Sequence, residues 1–404
     1  MKRIMFDKLP GGTPRFNALL ALAALGVLGG LGAAWYMEHH GHIVTGMNNQ
    51  IVWGTPHVFA VFLIVAASGA LNIASFSSVF NRAAYKPLAR LSGLLAISLL
   101  VGGLAVLVLD LGRPERLIIA MTKYNFKSIF AWNIYLYVGF LAVVAAYLWT
   151  MMERRMNRYT RLAGTLAFVW RLILTTGTGS IFGFLVAREA YDAALLAPLF
   201  IAASFAFGLA ITILVLLIIG SELTGTLMPR KLAGKFRGLM IIFILAVVYF
   251  TTLHLLTSAY GTEHHGIVRF MLLEGGVYTK VFWLVQIGIG TLLPLALLAR
   301  PATGATRGGL AIASIAVIIG GLAQMYVLII GGQAYPLVLF PGMEVSSSFQ
   351  DGQIAHYAPS LPEVLLGVGG VSIALLIIGI AVKVLAFLPQ ATLEEPEAAA
   401  GEAT

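Results

Sequence analysis

The chain is 404 residues long, 59% hydrophobic and only 11% charged, less than half the charged share of an average soluble domain. It has no cysteine, which excludes disulfides, thiolate-held iron–sulfur clusters and a cysteine nucleophile within this chain. A formal charge of +9 would suit a nucleic-acid partner, but the Lys and Arg residues flank long apolar runs, where membrane topology requires them, so no nucleic acid is expected.

A bilayer core of about 30 Å is crossed by about 20 apolar residues in a helix. On that length the chain predicts ten spans, near 16–37, 55–79, 90–111, 128–152, 162–187, 194–220, 237–258, 279–299, 308–330 and 362–388. The domain organisation is a basic tail over 1–15, a ten-helix membrane domain over 16–388, and an acidic, Ala-rich, disordered tail over 389–404. The first span is too long for a signal-peptide core and is read as retained.

Ten spans put both termini on one side. That side and its connections carry 18 of the 26 Lys and Arg residues, against seven on the other: Arg113, Arg116, Lys123, Lys127, Arg188, Arg269 and Lys280. The basic side is expected in the cytoplasm, giving a multi-pass protein of a bacterial inner membrane with both termini cytoplasmic. The eight histidines then fall in the outer half. The outer loops, 38–54, 112–127, 259–278 and 331–361, are the long ones, and the last contains Gly331-Gly332-Gln333 and Pro341-Gly342.

Taken in chain order, the ionisable groups at span ends are candidate site residues, because such groups are costly within lipid. His57 opens the second span just after Pro56, a residue suited to a first helical turn. Asp110 closes the third, ahead of Gly112, Arg113 and Pro114. Arg171 lies near the middle of the fifth with no acid at its depth; Glu222, nearer the cytoplasmic end, is the nearest candidate partner, and the two suggest a proton path or a structural anchor. Thr178 and Ser180 lie in the small-residue run Thr176 to Gly183, which lets a flat ligand or another helix approach closely. Arg188, Glu189, Tyr191 and Asp192 form the most polar cluster at a helix end. His254 lies near the outer end of the seventh span, where a neutral imidazole can hydrogen-bond a quinone and pass a proton. Only His57 and His254 lie in or at the edge of spans, which excludes a multihaem cytochrome design. A metal site from His39, His40 and His42, or from His264 and His265, is conceivable, but without nearby Asp or Cys partners none is expected.

Several motifs, in order, resemble one family. Leu109-Asp110-Leu111-Gly112-Arg113-Pro114 resembles the Asp-Leu-Gly-Arg-Pro signature of the NrfD-like membrane subunits, the polysulfide reductase anchor family. Thr176 to Gly183, Ala187 to Tyr191 and Ala197 to Phe200 resemble its next stretch. Trp53 to His57, Ala66 to Asn72 and Gly331 to Gln333 are similar to its ten-helix branch, which includes membrane subunits of the Hmc redox complex and of the sulfite-reduction-associated Dsr complex. The resemblance implies an all-α membrane protein of two four-helix bundles, spans two to five and six to nine, with one extra helix at each chain end. It implies no haem or iron–sulfur cluster in this chain and a bound quinone substrate, menaquinone or ubiquinone. It also implies a periplasmic ferredoxin-like iron–sulfur partner, with cytochrome c and further redox subunits beyond. His57 would be a pocket histidine. Many relatives carry a tyrosine where Thr175 stands, so Tyr124 or Tyr191 would have to take its place.

The expected function is a quinone-reactive subunit of a multisubunit redox complex linked to sulfur metabolism, with His57, Asp110 and the 188–192 cluster nearest the quinone head. The alternative is a secondary transporter, for which Pro294 and the Gly-rich ninth span would supply broken helices near the midplane.

Overall fold

The computed structural model describes residues 4–9, 11–223, 227–337 and 352–389. Among the described residues, ten helices are long and apolar enough to cross a membrane: α1 Pro14–His40, α2 Thr55–Ser78, α3 Ala83–Leu109, α4 Ile129–Met152, α5 Arg154–Gly183, α6 Leu196–Ser221, α7 Arg230–Tyr260, α8 Val277–Ala299, α9 Arg307–Ala334 and α10 Leu361–Val384. Each overlaps one predicted span. The ends are set by recognisable signals: Thr13 and Ser128 accept from backbone N–H groups of the first turns of α1 and α4, and Ser360 with Glu363 forms a capping box on α10.

The helices pack as two four-helix rings. α2 to α5 form the first, with α2 against α3, α3 against α4, α4 against α5 and α5 back against α2; α6 to α9 repeat the pattern. The rings meet along α2 and α6. There Gly69 and Gly208 touch backbone to backbone, and a Cβ on either would overlap the opposite main chain. In lipid, where apolar surface is not driven together, such close approach is a main source of helix association. The two extra helices do not sit apart. α1 packs on α10, which packs on α3 and α2, so both flank the first ring.

α2 is broken after Ala70, and its freed backbone groups are recovered from a neighbour. The Ser92 hydroxyl on α3 donates to Ala70 O at 2.7 Å and accepts from Ala74 N at 3.0 Å. α8 and α9 contain π-helical stretches, Val281–Leu292 and Val327–Gly331. In α8 the widened turn runs up to Pro294, which has no N–H to give to the ladder.

The first and last described segments meet on one face, where Phe6 and Asp7 pair antiparallel with Pro389 and Leu388. The helix ends near the histidines form the opposite face, the histidine face. Only the first residue of the expected acidic tail is described, so that expectation lies outside the described residues, as do Pro341 and Gly342.

Candidate functional site

A cavity of about 420 Å³ opens in the first ring near the histidine face. Its walls are apolar, from α3 and α4 (Leu104, Leu107, Ile134, Val138), and its polar lining comes from His57, Asn133 and Tyr137. Trp53 caps it, with its ring 6.0 Å from His57 in a stacked arrangement and edge-on to Phe182 at 5.8 Å.

The segment that carries Trp53 and His57 is held from three sides. Gln333 accepts from Val52 N and Trp53 N at 3.0 and 3.1 Å and donates back to Trp53 O at 3.0 Å. The Tyr357 hydroxyl accepts from Thr55 N at 2.7 Å and donates to Glu363 at 2.5 Å. Gly54 fits only without a side chain, since a Cβ would run into the Glu363 carboxylate and the Tyr357 hydroxyl. Burial, and then the hydrogen bond to the Glu363 carboxylate, push the Tyr357 hydroxyl well above its ordinary pKa, so it stays a neutral donor.

Behind His57 lies Asp110, whose side chain is almost fully buried. His57 Nδ1 is 2.9 Å from Asp110 Oδ2, in contact by distance though not aligned for a straight hydrogen bond. His42 Nε2 lies 3.9 Å from Asp110 Oδ1 and hydrogen-bonds the Asp110 carbonyl at 3.0 Å. His42 reaches solvent; Asp110 does not. The three groups therefore lead from the cavity to the surface. A buried carboxylate needs partners, and these two imidazoles are its partners.

The other candidates are distributed around this centre. Thr178 is buried beside Tyr137, with its hydroxyl donated to Leu174 O. Tyr191 packs its ring on Trp53 and Phe182 but donates its hydroxyl to Ile329 O at 2.7 Å, so that hydroxyl is already used. Ser180 is buried but does not line the cavity. Tyr124 sits on the surface against Tyr135. Arg188 spans the two rings at their rim, donating to Gln50 O and Gln333 O at 2.8 and 3.1 Å. Asp192 is exposed. Glu189 and His254 line a separate cavity in the second ring. Burial raises the Glu189 pKa, partly offset by His264.

Arg171 and Glu222 are not brought together. Arg171 is fully buried where α2, α5 and α6 meet. It donates to Ser68 O at 3.1 Å and lies over the Phe205 and Phe168 rings. Glu222 instead accepts from Thr13 N and Thr13 Oγ1 at 2.8 and 2.9 Å, fastening the start of α1.

Four residues of the site do not stand out as site residues in the sequence: His42, Trp53, Asn133 and Tyr137. Asn133 and Tyr137 lie four apart on α4, one polar face on an apolar span, which is a visible helical signal. Asn133 donates to Ile129 O and Gly177 O while its own oxygen has no partner.

A family model described as "Polysulphide reductase, NrfD" matches residues 43–336. The chain belongs to the NrfD family. Among curated proteins it is 30% identical over 399 residues to an Hdr-like menaquinol oxidoreductase integral membrane subunit of Archaeoglobus fulgidus, covering 97% of this chain and 98% of that one. It is 30% identical to a putative dimethyl sulfoxide reductase membrane subunit of Halobacterium salinarum, covering 89% and 88%. It is also 22% identical to a selenate reductase subunit of Mesobacillus selenatarsenatis, covering 92% and 93%. The NrfD match contains both helix rings whole: it begins before α2 and ends after α9.

Proposed function

We propose that this NrfD-family chain is the quinol-oxidising membrane subunit of a multisubunit redox complex linked to sulfur metabolism. The single observation that carries the reading is the line His57, Asp110, His42 from an apolar cavity to the surface. A cavity of this size falls in the range of small-molecule sites. The name of the Archaeoglobus relative, a menaquinol oxidoreductase subunit, supports a menaquinol-type substrate.

Oxidation of a quinol releases two electrons and two protons. In this reading Asp110 holds His57 by Nδ1, which leaves Nε2 as the atom that takes the hydroxyl proton. Asp110 stabilises the imidazolium, and the proton leaves by way of His42. Asn133 and Tyr137 hold the ring from the far wall, and Trp53 covers it. The electrons pass one at a time to a periplasmic ferredoxin-like iron–sulfur subunit docked on the histidine face, with cytochrome c and other redox subunits further along. That face is outward and both termini are cytoplasmic. Arg171 and Glu222 take no step here, because each is bound to a neighbour instead of to the other.

The transporter alternative requires unwound half-helices whose ends face a midplane site. α8 and α9 stay helical through Pro294 and Gly320, which weighs against it.

The test is quinol-driven reduction of the iron–sulfur centres in the purified complex. Loss of a positioned acid–base group costs about 100-fold or more, which is the expected fall for His57→Gln. Asp110→Asn is expected to fall less and to shift the pH profile. Wild-type rates in both variants would sink the assignment.

A further inference from the structure

The second ring contains a cavity of its own. It measures about 420 Å³ and is bounded by α6, α7, α8 and α9. A smaller space of about 70 Å³ adjoins it toward Glu189 and His254. The two share Thr251, Gln286 and Gln324. The main walls are apolar and include Phe207, Ile244 and Phe282.

Two glutamines stand out in that setting. Gln286, on the π-helical stretch of α8, is 7% exposed, and Gln324, on α9, is 6% exposed. Both side chains line the cavity. Among the described residues neither side-chain amide has a hydrogen-bond partner. Thr251 Oγ1 and His254 Nδ1 are fully buried and also lack partners. Polar groups removed from water are nearly always paired, and in a membrane interior an unpaired one is costly. Four unpaired polar groups from three helices around these two adjoining spaces mark them as built for a polar-edged occupant.

The shape and access narrow the class. An acyl chain would fill the apolar walls but leave every one of these groups unpaired. A charged solute would meet no opposite charge among the main cavity's lining residues. A flat ring carrying carbonyl oxygens fits both requirements, since the amides of Gln286 and Gln324 can donate to such oxygens and the apolar walls take the ring faces. On the lipid side the rim carries Leu256 and Trp283, both well exposed, so a lipophilic molecule can enter sideways.

We propose that this cavity is a second binding site for a quinone-class molecule, held by Gln286 and Gln324 and separate from the His57 site. It stands independently of the first assignment, because none of the polar groups named here lines the His57 cavity.

The full-length chain in detergent, stripped of lipid, is titrated with a short-chain 1,4-naphthoquinone, and binding is read by equilibrium dialysis and tryptophan quenching. Wild type is expected to bind two molecules per chain. Gln286→Leu with Gln324→Leu is expected to bind one while keeping wild-type quinol oxidation in the complex. Trp283→Phe is expected to remove the part of the quenching that belongs to this site, and His57→Ala to leave that part in place. Should the leucine variant fail to fold, an azido-naphthoquinone photolabel on the wild-type chain gives the answer, with adducts expected in 277–299 and 307–334. A stoichiometry of one in wild type with no Trp283 quenching, two in the leucine variant, or photolabel confined to the first ring overturns the proposal. Failure of the first site alone would show as lost binding around Trp53 with the Trp283 signal intact.

Discussion

The proposed role of His57 rests on Asp110 behind it and a cavity in front, and neither neighbour is near it in sequence. Gln333 has the same character, since one side chain satisfies three backbone groups of the 52–53 segment. Gln333→Leu leaves those groups unpaired, and unpaired buried groups cost about 1–3 kcal/mol each, so a clear drop in thermal stability is expected in detergent. An unchanged melting temperature would show that water replaces the amide. Glu189 supplies a pH-dependent case. Burial raises its pKa, His264 draws it back and Glu263 adds to the rise. Folding thus disfavours the ionised form. Its contribution to stability is whole below the ordinary value of 4.5 and is lost as pH rises through the higher folded value. Melting curves across that range should flatten in Glu189→Gln, and an unchanged slope would exclude Glu189 as its source. His57 and Asp110 were legible as polar groups at span ends. His42 was not, because nothing local distinguishes it from His39 and His40; only the fold brings it to Asp110.

Helices were the most readable elements, since about 20 apolar residues in a row admit few other structures. What the chain does within a span was less visible. The break in α2 depends on Ser92, a residue of another helix that sits 18 positions beyond Ala74. Ser92→Ala removes both the donor to Ala70 O and the acceptor for Ala74 N, and by the same unpaired-group cost of about 1–3 kcal/mol it should destabilise the fold, with Ser92→Thr retaining most of it. Equal melting temperatures for Ala and wild type would mean that α2 re-forms a continuous ladder. The π-helical stretch of α8 has a local cue in Pro294, but the sequence alone cannot say whether a proline kinks, widens or ends a helix. His254 shows the same limit. Its depth along α7 was readable, but depth does not say which ring's cavity a side chain enters, and it enters the second.

At the scale of the molecule, the even helix number and the uneven basic charge support the proposed orientation, with both chain ends cytoplasmic. Because the chain has no cysteine, single introduced thiols can map it cleanly. A membrane-impermeant maleimide applied to intact cells should label Lys123→Cys and leave Arg155→Cys unlabelled until the membrane is opened; the reverse pattern would invert the topology. The two-ring plan was readable through family resemblance and not through periodicity, because buried helices in lipid are apolar on every side. The pairing of α1 with α10 was not readable at all.

That pairing, together with the short ribbon joining Phe6–Asp7 to Leu388–Pro389, has a consequence for how the protein is made. The ribosome delivers α1 long before α10. Until α10 is inserted, α1 lacks its main packing partner and is held in the bilayer by lesser contacts such as Thr13 with Glu222, with Leu22, Leu25 and Leu28 toward the acyl chains, as they remain in the finished fold. Both rings can close during that wait. α10 then returns to α1, and the clasp between Phe6–Asp7 and Leu388–Pro389 can form only after the helices of both rings have been inserted.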